Sequence, residues 1–123
     1  RINAAVQYLV KQGATKIAIV GFCWGGWVAT HVLAQPDAPT QLVCAAIPHP
    51  SILVEEMFGG NAVDLVSKVR APVFLLPAGN DSDRYRPGGD VLEALQAAQP
   101  GSRTSLDFGD SKHGWTNRGD VTD

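Results

Sequence analysis

The stretch Lys16 to Gly26 constrains the fold most. A short apolar run, Lys-Ile-Ala-Ile-Val-Gly-Phe, meets a cysteine and then Trp24-Gly25-Gly26, after which Trp27 to Ala34 reads as a helix stopped by Pro36 and Pro39. Strand, sharp turn, helix is the order expected of a parallel sheet. Two further apolar runs of strand length, Leu42 to Ile47 and Ala71 to Leu76, each end at prolines and open into polar loops. Ile2, Ala5, Val6, Leu9 and Val10 recur at helical spacing with Gly13 placed to end that helix. Gly88 to Ala98 reads as another helix, and Thr104 to Phe108 as a last strand. Strands that are apolar throughout, alternating with helices, predict an α/β architecture with a mostly parallel sheet covered on both faces.

Composition narrows the class. The 123 residues are 45% hydrophobic and 18% charged, with no linker, repeat or low-complexity segment, which predicts one globular domain over 1–123. A net charge of -2 supplies no field for phosphate backbones or anionic lipid, so neither nucleic acid nor membrane is expected as a partner. No apolar run reaches the roughly 18 residues of a membrane span, and Arg1 to Lys11 is amphipathic rather than signal-like. A cytoplasmic address follows, in which Cys23 and Cys44 stay reduced.

Gly21-Phe22-Cys23-Trp24-Gly25 has the form glycine, any residue, nucleophile, any residue, glycine, with cysteine where serine is commoner. Between a strand and a helix this pattern holds a nucleophile on a strained turn, and side chains at Gly21 or Gly25 are expected to clash. The backbone N–H of Trp24 is the candidate oxyanion donor, and the following helix favours the thiolate. The bland reading is a small buried cysteine in a glycine-rich turn. Chain order argues against it, because nucleophile, acid and histidine follow in that sequence in α/β-hydrolases. Asp81 lies in Gly79-Asn80-Asp81-Ser82 past a strand's carboxyl end, with Asp83 as its rival and a plain turn as the alternative. His113 follows the last strand in Ser111-Lys112-His113-Gly114-Trp115, while His31 reads as a solvated helix face and His49 as a pocket-lining or turn residue.

Together, Gly21-Phe22-Cys23-Trp24-Gly25-Gly26, Gly79-Asn80-Asp81 and His113-Gly114-Trp115 resemble the dienelactone hydrolase family, also called carboxymethylenebutenolidases. His49-Pro50-Ser51 and Tyr85-Arg86-Pro87-Gly88-Gly89 are similar to its fungal members, and the likeness runs from Lys16 to about Asp120. The resemblance implies the α/β-hydrolase fold, no cofactor, no metal, and cleavage of a lactone or carboxylic ester by Cys23, Asp81 and His113 through a thioester. Arg118, Arg86 and His49 are candidate substrate contacts, with solvated surface as the alternative for the arginines. Family members carry several strands before the elbow. The chain therefore reads as the C-terminal portion of the fold, either lacking an N-terminal segment or needing a partner copy at an exposed edge. The rival reading is a catalytically incomplete relative that acts as a binding module.

Overall fold

A computed structural model of the chain describes residues 2–101 and 104–118. Helix α1 (Ile2–Lys11) buries Val6, and Gly13 ends it in the left-handed region at φ +94° while the Ala14 N–H bonds back to Leu9 O at 3.0 Å. Strand β1 (Ile17–Val20) leads into α2 (Trp24–Ala34), which stops where Gln35, preceding Pro36, turns extended. Strand β2 (Leu42–Pro48) is followed by two short helices that the sequence pattern does not reveal, α3 (Val54–Met57) and α4 (Ala62–Val66). Asn61 caps α4 by accepting the Asp64 N–H at 3.0 Å. Strand β3 (Val73–Leu76), a 3-10 turn (Asp83–Tyr85), α5 (Asp90–Ala98) and α6 (Trp115–Arg118) complete the order.

The strands run parallel in the order β1-β2-β3, with Ile19 opposite Ala45 and Ala45 opposite Val73. The stretch Thr104 to Phe108 runs beside β3 in parallel, as its sequence predicts, but as two isolated bridges rather than a strand. The hydrogen bonds explain why. Leu75 N–H donates to Thr104 O, Leu106 N–H to Leu75 O and Phe108 N–H to Pro77 O, at 2.8, 3.0 and 2.8 Å. The missing rung would need an N–H at position 77, where proline has none.

Ile17, Ala45, Ile47, Val73 and Leu75 point to one face of the sheet and are buried against a layer containing α2, α4 and α5. The opposite face carries Ala18, Val20, Cys44, Ala46, Phe74 and Leu76, with Val20 57% exposed. Among the described residues this face is the less buried of the two, and the sheet is a small parallel one flanked by helices, as the sequence predicts. Apolar strand residues on both sides predict burial of both sides, but nothing in a strand says which segment supplies the cover.

Candidate active site

The β1–α2 junction is tighter than the sequence suggests. Helix α2 begins at Trp24, directly after Cys23, rather than at Trp27, so the whole change of direction falls on one residue. Cys23 takes φ 53° and ψ -119°, a conformation that costs an L residue about 1–3 kcal/mol and persists only where its surroundings enforce it. Those surroundings are backbone. Cys23 N–H donates to Pro48 O at 3.3 Å, and Cys23 O accepts from Gly26 N–H at 3.0 Å and Ser51 N–H at 3.3 Å.

The glycines divide this work differently from the sequence expectation. A Cβ on Gly21 would lie 2.5 Å from Gly25 O, and one on Gly26 would lie 2.2 Å from Ile47 Cγ2. A Cβ on Gly25 meets nothing within 4 Å, so Gly25 is not the residue that sterics require. The close approach is made by the strand glycine to the helix and by Gly26 to β2, because the helix starts earlier and rotates Gly25 outward.

The structure brings Cys23, Asp81 and His113 together. Asp81 is held at the end of β3: its Oδ2 accepts the Ala78 N–H at 2.7 Å and its Oδ1 lies 2.5 Å from His113 Nδ1. Only 4% of its side chain is exposed. Asp83 is fully exposed and pairs with Arg86 at 3.3 Å, so of the two it is Asp81 that reaches His113. The Gly79-Asn80-Asp81 signature acquires a complete physical account. A Cβ on Gly79 would collide with Gly109 O, and Asn80 Oδ1 accepts the His113 N–H at 2.6 Å. The acid loop and the histidine loop are thus tied to each other before their side chains meet.

The sulfur of Cys23 lies 3.4 Å from Ser51 Oγ. Burial pushes the thiol up, but hydrogen bonds from Ser51, His113 and the Trp24 N–H, with the imidazolium charge, hold it below the ordinary cysteine value. Burial likewise works against the His113 cation, yet Asp81 and the Cys23 sulfur hold its pKa above the ordinary histidine value. The two groups shift in opposite directions because each stabilises the charged form of the other.

The three substrate-contact candidates fall in different places. Arg86 is turned inward: its Nη1 donates to Asp81 O at 2.8 Å, its Nη2 to Ala78 O, and its Nε to Asp107 at 3.0 Å. This occupies the guanidinium inside the acid loop, where it holds the backbone carbonyls of Ala78 and Asp81. His49 is 1% exposed, packs its ring 4.8 Å from that of His113, and has Nε2 2.6 Å from Thr116 Oγ1. It too backs the site rather than opening onto it. Burial, then the His113 charge, holds its pKa below the ordinary value. Arg118 is exposed on α6, its side chain lying over Gly114 next to His113, and stays a candidate contact.

Sequence reasoning missed Ser51, Asn80 as a tether, and the cluster beside the elbow. In that cluster Glu55 Oε2 accepts from Trp27 Nε1 at 2.7 Å and lies 2.6 Å from His31 Nε2, while Phe58 stacks on Trp27 at 5.5 Å. His31 is therefore paired rather than simply solvated. Among the described residues there is no group of three or more His, Cys, Asp and Glu side chains that could hold a metal, and no helix is long and apolar enough to cross a membrane.

Comparison with known proteins agrees with this arrangement at the level of family and fold. No curated protein sequence matches. Among solved structures, an acylaminoacyl peptidase in complex with Z-Gly-Gly-Phe-chloromethyl ketone is similar, with a TM-score of 0.66 and 16% identity over 98% of this chain. The chain spans 24% of that protein's length, and the likeness establishes the α/β-hydrolase fold alone. The family model of the dienelactone hydrolases matches residues 1–122, and the chain belongs to the dienelactone hydrolase family.

Proposed function

We propose that this chain carries the nucleophile, acid and histidine of a hydrolase that cleaves a lactone or carboxylic ester through a thioester on Cys23. The observation that carries the reading is the strained Cys23 in hydrogen-bonding reach of His113, whose Nδ1 is 2.5 Å from the buried Asp81. In the first step the thiolate attacks the carbonyl carbon, a C–S bond forms, and the negative charge passes to the carbonyl oxygen. The Trp24 N–H, which bonds the sulfur, would donate to that oxyanion. The tetrahedral species collapses by breaking the C–O bond, and imidazolium His113 gives its proton to the leaving alkoxide. In the second step His113, now neutral, takes a proton from water, which attacks the thioester and releases the carboxylic acid and the thiolate. Asp81 fixes the imidazole with Nδ1–H toward itself and Nε2 toward the sulfur in both steps.

A small-molecule substrate fits this chemistry, and a carboxylate on it would be met by the exposed Arg118. Residues 1–123 are then one partial domain of the fold in a cytoplasmic protein. The rival reading, a catalytically incomplete relative that serves as a binding module or pairs with a second copy, draws on the exposed Val20 and on β1 standing at the sheet's edge among the described residues. Hydrolysis of an aryl acetate and an aryl lactone separates the two. Parent chain is expected to turn over, with Cys23→Ala and His113→Gln reduced to background. Equal slow rates in all three would leave the binding-module reading standing.

A further inference from the structure

The segment Pro48 to Ser51, between β2 and α3, is more elaborate than a strand-to-helix connection requires. His49 sits at φ 38°, a conformation L residues rarely adopt, and its N–H is fixed to Leu76 O at 2.9 Å. The loop grips the elbow from both sides, since Pro48 O takes the Cys23 N–H and the Ser51 N–H goes to Cys23 O, each at 3.3 Å. Ser51 O in turn accepts the Val54 N–H at 3.1 Å, so the residue is anchored at both backbone ends. This leaves one free element, its hydroxyl, and that hydroxyl points at the sulfur, 3.4 Å away.

From this geometry we infer that Ser51 is a further catalytic residue: its hydroxyl donates a hydrogen bond to the Cys23 thiolate and holds the sulfur on the His113 side of the elbow. The inference rests on Cys23 being the nucleophile but not on ester turnover. A thiolate in this site has His113 and the Trp24 N–H as its other partners. A third donor spreads the charge further and lowers the energy of the anion relative to the thiol. The hydroxyl can also release the sulfur as the C–S bond forms, because rotation about one χ1 angle moves it away without disturbing the loop's backbone bonds. The same loop presses His49 against His113, so one segment supports both members of the ion pair.

The direct test is the pH dependence of Cys23 alkylation by iodoacetamide, followed on the Cys23 peptide by mass spectrometry so that Cys44 does not contribute. A donor to a charged group is worth enough to move the thiolate midpoint up by about one pH unit when lost, which cuts the thiolate fraction about tenfold on the acid side of that midpoint. The more basic thiolate left behind is the better nucleophile, which recovers about half of that on a logarithmic scale. Ser51→Ala is therefore expected to move the alkylation midpoint upward by about one pH unit and to slow alkylation about threefold on the acid side of it, and Ser51→Thr to restore the parent profile. Ser51→Ala keeps every backbone bond of the loop. Should its melting curve show it unfolded, Ser51→Gly carries the same readout. An unchanged midpoint in a folded hydroxyl-free variant, or equal shifts in the Ala and Thr variants, would overturn the inference. Loss of ester acylation with a Ser51-dependent alkylation midpoint would instead contradict the proposed function and leave Ser51 in its role.

Discussion

At Asp81 the site's electrostatics converge on one carboxylate. It supports the His113 cation, which supports the Cys23 anion, so a change at the acid is felt at the sulfur two groups away. Removing the charge in Asp81→Asn lowers the basicity of His113, depopulates the imidazolium and raises the pH at which Cys23 becomes a thiolate. Ester turnover in that variant is expected to fall about a hundredfold or more. Asp83→Asn is expected to stay within about twofold of the parent, because the Asp83 side chain is fully exposed and touches only Arg86. Steady-state assays of both variants decide between the two acids. Arg86 gives the complementary case. Arg86→Lys keeps a positive charge but cannot reach Ala78 O, Asp81 O and Asp107 at once, so turnover should drop while KM changes little. A large KM effect with unchanged kcat would return Arg86 to the substrate.

The nucleophile elbow shows how far an element can be read from sequence. The motif identifies the strand, the turn and the helix correctly, and with them the position of Cys23. It misassigns the second glycine, because a pattern of residue types does not carry the rotation of the helix that follows. Gly26, with β2 pressed against it, is the glycine that matters for packing. Gly26→Ala would drive a methyl group into Ile47 and is expected to cost about 1–3 kcal/mol in chemical denaturation. Gly25→Ala has open space and helical backbone, and is expected to be neutral or to stabilise by up to about 1 kcal/mol. If both variants destabilise alike, the helix start at Trp24 is wrong. The strands β2 and β3 were legible because an unbroken apolar run that stops at proline is too short for a helix and fits a buried strand. Helices α3, α4 and α6 were not, since four or five residues contain too little periodicity to register. The roles of Asn80 and Ser51 were hidden for a different reason: each acts across a gap between loops, and nothing local in the sequence marks such a partner.

Over the whole molecule, three loops from the carboxyl ends of β1, β3 and the Thr104–Phe108 segment meet at one edge of a parallel sheet, which is where such sheets place reactive groups. The loop after β2 lies between them and touches both sides of the ion pair. Protons link this site to the stability of the fold. His113 has a raised pKa in the folded chain, so its contribution is fully present below the unfolded value and is lost as pH rises through the folded one. The stability difference between parent and His113→Gln should therefore be largest in mild acid and shrink toward alkaline pH, as measured by urea denaturation across that range. Cys23, lowered on folding, works in the opposite sense: its contribution is present above the ordinary thiol value and fades as pH falls. Attack of the assembled Cys23 on an acyl carbon is read out by intact mass after brief mixing with a nitrophenyl ester. One acyl group on the parent chain, located on the Cys23 peptide and absent from Cys23→Ala, with nitrophenolate released in step, is the predicted result. A folded parent that gains no mass, or gains it equally in the Cys23→Ala variant, would contradict the account.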